Sequence, residues 1–274
     1  FRPDVGVLLN IQPDHLDRHR TMRAYAATKA RLFSRMTTGS VGVVFERDLQ
    51  VIRKLGGGRN RWLSFGASGA ADFRYGNGTV RFNDRGRAET VLDFTGTVFA
   101  NDILGVTAAA AVAAVRACGI DPAVVQNAAK RYKPLPHRMQ TVARMKGVTF
   151  INDSKATNLA ALAAGVTMCD GPVRLIAGGI LKENKLNFVK KILAKRVVAV
   201  YLIGRAANKM AKAWGRAVKY RRCGTLRRAI RLAWREAVKG DYVLLSPGCA
   251  SFDQFEDFED RGKQFAKMAR SLDK

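Results

Sequence analysis

Past residue 136 the chain falls into a rhythm that admits few folds. Short apolar runs at Val148–Asn152, 173–177, Val197–Ile203 and Tyr242–Leu245 alternate with amphipathic stretches at 157–167, 205–214, 226–238 and 254–271. A strand with one wet face alternates apolar and polar residues. Runs that stay apolar throughout are strands buried on both faces. Such strands, each separated from the next by a helix, build a parallel sheet with helices on both sides. The expected class is therefore α/β.

The front half is less regular. Residues 5–11 form an apolar run that reads as a buried parallel strand, followed by a polar loop over 12–19 and a helix over 21–36. Val41–Phe45 reads as another buried strand. Residues 61–94 are β-like and Gly-rich, and Asn77-Gly78 between two alternating segments predicts a tight hairpin. An Ala-rich helix over 107–118 stops at Gly119, and Asp121-Pro122 opens the next as N-cap and first residue. Lys133-Pro134-Leu135-Pro136 carries two prolines that no helix tolerates, so domains of 1–134 and 135–274 are expected.

Composition excludes several classes. With 47% hydrophobic and 26% charged residues the chain can bury a core. No run approaches the roughly 18 apolar residues of a membrane span. Cys118, Cys169, Cys223 and Cys249 are scattered without a CxxC pair, which argues against a disulfide framework or structural zinc and for a reducing compartment. Charge is the unusual quantity: 48 basic against 22 acidic residues, net +26. Residues 1–134 hold 20 and 11, or +9; residues 135–274 hold 28 and 11, or +17. From 184 to 235 there are sixteen basic residues and no acid, and then 253–260 holds five acids. The ordinary reading of such a run is solvated helix faces, with nucleic acid not expected as a partner. The competing reading is a catalytically dead basic module that grips a polyanion. The first residue is Phe, running straight into a strand, so the chain is expected to be cut from a longer one.

Ligands of open parallel sheets sit beyond the carboxyl ends of the strands, and the polar clusters fall there. His15 with Asp14 or Asp17 offers ligands for a hard cation. Lys29 alone is an ordinary helix lysine. Leu135-Pro136-His137-Arg138 is a stiff turn presenting a guanidinium that can fork onto phosphate. Residues 151–158, Ile-Asn-Asp-Ser-Lys-Ala-Thr-Asn, join a strand to a helix. Ser154 or Asp153 can cap that helix, and its free N–H groups with Lys155 also make an anion site. In the segment 244–262, Ser251 followed by Gln254 matches a capping box. Ala177-Gly178-Gly179 is a tight turn after a strand.

Taken in order, NIQPDHLDR (10–18), AATKAR (26–31), LPHR (135–138), INDSKATN (151–158) and LLSPGCASFDQFEDFEDRG (244–262) resemble the Mur ligase family, most closely its D-glutamate-adding MurD type, over nearly the whole chain. The resemblance implies the rear of a P-loop-type ATPase central domain over 1–134 and a Rossmann-like amino-acid-binding domain over 135–274. It implies an ATP- and Mg²⁺-dependent cytoplasmic ligase of peptidoglycan precursor synthesis, needed for cell shape and division and monomeric, that joins D-glutamate to UDP-N-acetylmuramoyl-L-alanine. It implies His15 and a carbamylated Lys29 at the metal, and Arg138, Asp153 and Lys155 at the nucleotide. Around D-glutamate it implies Thr157, Lys182, Ser251 and Phe258. Three departures stand out. No GxxxxGK[ST] loop occurs in the 274 residues, so the piece alone is expected not to turn over. The stretch 99–107 lacks the family's HNxxN pattern, which bears on adenine contact, and the loop after Gly179 leaves Lys182 and Lys185 as rivals.

Overall fold

The computed structural model describes residues 1–13, 16–83, 89–182 and 185–272, with backbone only at Leu16 and Asp17. His15, together with Asp14, lies outside the described residues. The contacts divide the chain into two compact units, Phe1–Lys133 and Pro134–Lys274.

In the first unit β1 (Val5–Leu8), β2 (Val41–Phe45), β3 (Arg61–Gly66), β4 (Phe73–Gly76), β5 (Thr79–Asn83) and β6 (Glu89–Asp93) form one sheet in sequence order. β1 to β4 pair in parallel, and β4, β5 and β6 pair antiparallel. The Asn77-Gly78 hairpin is present: Gly76 faces Thr79, and both turn residues take positive φ. The helices are α1 (Leu16–His19), α2 (Met22–Ala30), α3 (Leu49–Gly56), α4 (Leu104–Ala117) and α5 (Ala123–Arg131). Two elements are shorter than their sequence pattern suggests. The first strand ends at Leu8, and the helix expected over 21–36 stops at Ala30, giving way to a 3-10 turn over Arg31–Phe33. Alanine content explains α4, whose Ala108, Ala109, Ala110 and Ala113 are buried and let the helix lie close on Val43, Phe65 and Tyr75. α5 starts one residue later than expected, with Pro122 in the cap position, and Asp121 accepts from Ala123 N at 2.9 Å.

The second unit is a sheet of β7 (Gln140–Met145), β8 (Val148–Asn152), β9 (Val173–Gly178), β10 (Val197–Ile203), β11 (Lys219–Gly224) and β12 (Tyr242–Leu245). Its order is β11-β10-β9-β12-β8-β7, parallel except for β7. Here α6 (Leu159–Thr167), α7 (Lys190–Arg196) and α8 (Ala207–Trp214) cover one face. On the other lie α9 (Leu226–Glu236) and α10 (Phe258–Arg270). Alternate strand residues feed the two cores: Leu175, Val200, Leu202 and Leu244 face α6 to α8, and Ile176, Tyr201, Val243 and Leu245 face α9 and α10. The sequence pattern missed β7, β11 and α7. β11 carries Lys219, Arg221 and Arg222 on an exposed edge, where cations discourage further pairing instead of marking a strand. After β8 the chain skips a place, builds outward to β11, and returns to lay β12 in the gap. The helices change face at the same step. This reversal makes the carboxyl ends of β8, β12 and β9 the expected ligand crevice.

Candidate functional site

Three loops leave the carboxyl ends of β9, β12 and β8, and the backbone laces them together. Gly248 N donates to Ala156 O at 2.9 Å, tying the β12 loop to the β8 loop. Ile180 and Ala250 exchange a pair of bonds at 2.9 and 3.0 Å, tying the β9 loop to the β12 loop. Glycine is required at Gly178 and Gly179, where φ is 129° and 130°. A Cβ there would sit 2.0 Å from Ile203 O and 2.2 Å from Ala250 O.

A buried guanidinium completes the lacing. Arg261 on α10 is fully buried, and among the described residues no carboxylate lies within ion-pair distance of it. Its Nε donates to Ser154 Oγ at 2.9 Å, its Nη2 to Ser154 O at 2.8 Å and its Nη1 to Cys249 O at 3.2 Å. Burial pushes its pKa down to about 10, which leaves it charged at neutral pH. One residue on, Gly262 permits a close approach. Its carbonyl accepts from Asn152 Nδ2 at 3.0 Å, and Asn152 Nδ2 also lies 2.9 Å from His137 Nδ1. A Cβ on Gly262 would stand 2.2 Å from that imidazole nitrogen.

The turn before β7 is held in an uncommon shape. His137 and Met139 have φ of 63° and 45°, a region side chains avoid without outside support. Support comes from four bonds: His137 N to Gln140 Oε1, Lys155 N to His137 O, the Asn152–His137 contact, and Met139 N to Asp153 Oδ1 at 3.2 Å. Arg138, between the two strained residues, is thereby aimed outward with its side chain exposed. Asp153 is turned inward. It is 8% exposed, its Oδ2 accepts from Ser246 Oγ at 2.9 Å, and α6 presses on it through Gly165. Burial drives its carboxyl up to about 7 against the weaker pull of Ser246, Met139 N–H and the Arg138 charge.

Arg138, Lys155 and Phe258 meet in the wall of one cavity of about 1000 Å³. Lys155 Nζ lies 3.8 Å from the centre of the Phe258 ring, a cation–π contact that fixes the ammonium. Lys263, Lys267 and Arg270 add charge to the same wall, against the single carboxylate of Glu259. Five cations facing one acid make a receptor for a multiply charged anion such as polyphosphate. Asp153, Thr157, Lys182 and Ser251 are not in that wall. Thr157 is half-buried, Ser251 is buried, and Lys182 is exposed on the β9 loop. They stand on the three laced loops. Lys29 belongs to the first unit, exposed in the last turn of α2 with its Nζ 5.5 Å from the Tyr25 ring centre. Asn101, in the stretch considered for adenine contact, spends its carbonyl on Ile103 N and Leu104 N.

Two capping assignments are corrected. Asn158, not Ser154 or Asp153, caps α6, accepting from Ala161 N at 2.8 Å. Asp257, not Ser251, caps α10, accepting from Asp260 N at 2.7 Å. The polar residues after the strands are thus left to the loops, six or more positions ahead of α10 in the case of Ser251. Sequence reasoning assigned no role to Asn152, His137, Ser246, Arg261 or Gly262. An arginine followed by glycine inside an acidic helix start was the available signal.

Comparison with known proteins identifies the family. Residues 1–117 match the family model described as Mur ligase middle domain, and residues 137–249 match Mur ligase, glutamate ligase domain. The chain is 39% identical to a UDP-N-acetylmuramoylalanine--D-glutamate ligase of Pelotomaculum thermopropionicum, covering 100% of this chain and 61% of that one. It is 36% identical to the enzyme of that name from Chlorobium phaeobacteroides, over 99% and 62%. The chain therefore spans about three fifths of the length of these relatives. Among solved structures, MurF ligase from Thermotoga maritima in complex with ADP superposes with a TM-score of 0.70 at 18% identity, covering 99% of this chain and 62% of that one. E. coli FolC in complex with DHPP and ADP gives 0.63 at 20%, covering 98% and 62%. Two domain matches in tandem, on a chain whose identity to these ligases runs from end to end, make it a member of the Mur ligase family.

Proposed function

We propose that the protein carrying these 274 residues is an ATP-dependent ligase that joins D-glutamate to UDP-N-acetylmuramoyl-L-alanine in cytoplasmic peptidoglycan precursor synthesis, acting as a monomer. Relatives of that name at 36% and 39% identity support the choice of amino acid. The carboxylate of the alanyl group attacks the γ-phosphorus of ATP, ADP departs, and an acyl phosphate forms. The D-glutamate amine then attacks the acyl carbon and phosphate leaves.

The observation that carries this reading is the meeting of Arg138 and Lys155 in one cation-walled cavity. An anion attacking an anion needs fixed positive charge, most effective when held in place before the reaction. Lys155 is held by Phe258 and by the laced loop beneath it. Asp153 acts on the nucleotide side by bracing Met139 N, and through it the turn that presents Arg138. Thr157, Ser251 and Lys182, on loops joined at Gly248–Ala156 and Ile180–Ala250, are proposed for the carboxylates of D-glutamate. Among the described residues no three His, Cys, Asp or Glu side chains gather as a metal site. The proposal of Mg²⁺ at His15 and a carbamylated Lys29 rests on the family resemblance; bound there, the ion would offset phosphate charge.

The test is ADP release by the complete gene product, dependent on both UDP-N-acetylmuramoyl-L-alanine and D-glutamate. Lys155→Ala is expected to abolish it while leaving the unfolding midpoint in place. A variant near the wild-type rate removes Lys155 from the site. Turnover with meso-diaminopimelate and none with D-glutamate overturns the substrate assignment.

A further inference from the structure

The groove between α9 and α10 lies on the face of the second unit away from α6 to α8. Its volume is about 540 Å³, and its walls carry Arg227, Arg231, Arg235 and Lys267 around a floor of Ile230 and Trp234. All four cations are exposed, and none has a carboxylate within 4.0 Å among the described residues. Three acids of the described residues on α9 and α10 are already engaged. Glu236 accepts from Arg221 Nε at 3.1 Å and from Tyr201 Oη, Asp260 from Gln264 Nε2 at 3.0 Å, and Glu259 pairs with Lys263. The run read from sequence as solvated surface therefore contains a line of three arginines with no carboxylate partner among the described residues.

Arg227, Arg231 and Arg235 are spaced four residues apart, so they share one stripe, with steps of about 6 Å and a length of about 12 Å. A stacked nucleic-acid strand places one phosphate every roughly 3.4 Å, so the stripe covers three to four nucleotides. Guanidinium forks suit phosphate oxygens better than ammonium points do. Trp234 supplies an aromatic surface at the floor, packed against Phe150 with ring centres 5.6 Å apart. Arginines along a backbone track beside an aromatic platform are the chemistry of single-strand binding. A base laid on Trp234 has left its own stack, which the paired bases of a duplex cannot do without breaking a pair.

We infer that the α9–α10 groove binds a short segment of single-stranded nucleic acid, its phosphates on Arg227, Arg231 and Arg235 and a base against Trp234. The three arginines lie outside the cavity of Arg138 and Lys155, although Lys267 and Ser271 line both, so the arginines can be changed with that cavity's own residues left in place.

The test is fluorescence anisotropy of a labelled twelve-nucleotide oligouridylate with the 274-residue chain at 50 and 200 mM salt. Phosphate contacts from the three arginines and from Lys267 give a slope near −3 in log K against log salt, about a fifty-fold loss between the two conditions. The triple variant Arg227→Gln/Arg231→Gln/Arg235→Gln should bind at least tenfold more weakly at 50 mM and lose about two units of slope, with unchanged circular dichroism. A control triple on the opposite face, Lys191→Gln/Lys195→Gln/Lys212→Gln, removes equal charge and should retain binding within about threefold. Equal losses in both triples would show non-specific attraction and overturn the site. So would competition by a duplex of the same length, or by polyglutamate, as strong as that by the single strand.

Discussion

Asp153→Asn tests the core of the site in a single titration. The folded carboxyl titrates near 7 because burial outweighs its two hydrogen bonds and the Arg138 charge; an ordinary aspartate titrates at 3.8. Between those values the folded state holds the proton more tightly than the unfolded state does. The stability from this group is therefore complete below about 3.8 and is lost as pH rises, at ~1.4 kcal/mol per pH unit, until pH passes about 7. From pH 5 to pH 8 only the stretch from 5 to 7 contributes, a loss of about 2.7 kcal/mol. Asparagine keeps both contacts. Its Oδ1 accepts from Met139 N, and its Nδ2 donates to Ser246 Oγ, which turns its own hydrogen away. It carries no charge to desolvate, so the variant should not share the loss.

The assay is urea unfolding of the 274-residue chain at pH 5 and pH 8, followed by fluorescence. Trp214 and Trp234 report on the second unit and Trp62 on the first. Every other titrating group is common to both proteins and cancels in their difference. Wild type should lose about 3 kcal/mol more than Asp153→Asn across that interval. Equal losses, within about 1 kcal/mol, would mean that Asp153 is solvated in solution and does not brace the Arg138 turn.

Two further substitutions probe the lacing. Gly262→Ala places a methyl 2.2 Å from His137 Nδ1 and should cost about 1–3 kcal/mol, read as a lowered urea midpoint of the second unit; a midpoint unchanged within error would refute the close approach. Arg261→Met strips donors from Ser154 Oγ, Ser154 O and Cys249 O and should cost roughly 3–5 kcal/mol, since bonds from a charged donor are each worth about 1.5–3 kcal/mol and do not add in full. A loss below about 1 kcal/mol would show the loops held by their backbone bonds alone.

The parallel strands were legible because burial on both faces demands unbroken apolar runs. Val148–Asn152, Val197–Ile203 and Tyr242–Leu245 appear with the bounds that their composition suggests. β7 and β11 were not, because an edge strand meets neighbours on one side only and its residues answer to solvent. Arg144, Lys219 and Arg222 follow that second rule. Helix starts were misplaced for a related reason. Asparagine and aspartate cap through one side-chain oxygen, and INDSKATN offers several such oxygens in eight residues. Tertiary structure chooses among them: Asp153 is drawn inward by Ser246 and Met139, which leaves Asn158 to cap α6.

The same logic explains why Arg138 and Lys155 could be singled out from sequence while Arg261 could not. An arginine on a Pro-stiffened turn, or a lysine ahead of a helix, advertises an outward charge by its local setting. Arg261 sits in a run of acids, where the local reading is a surface ion pair. In the fold it passes those acids by and places its guanidinium beneath the β8 and β12 loops, more than a hundred residues away in sequence from Ser154. The contact depends on β12 being laid beside β8, a choice of topology that no window of sequence contains. Charge that meets the ligand is written locally, whereas charge that fixes the loops bearing it is written in strand order. A search confined to motifs will find the first kind and pass over the second.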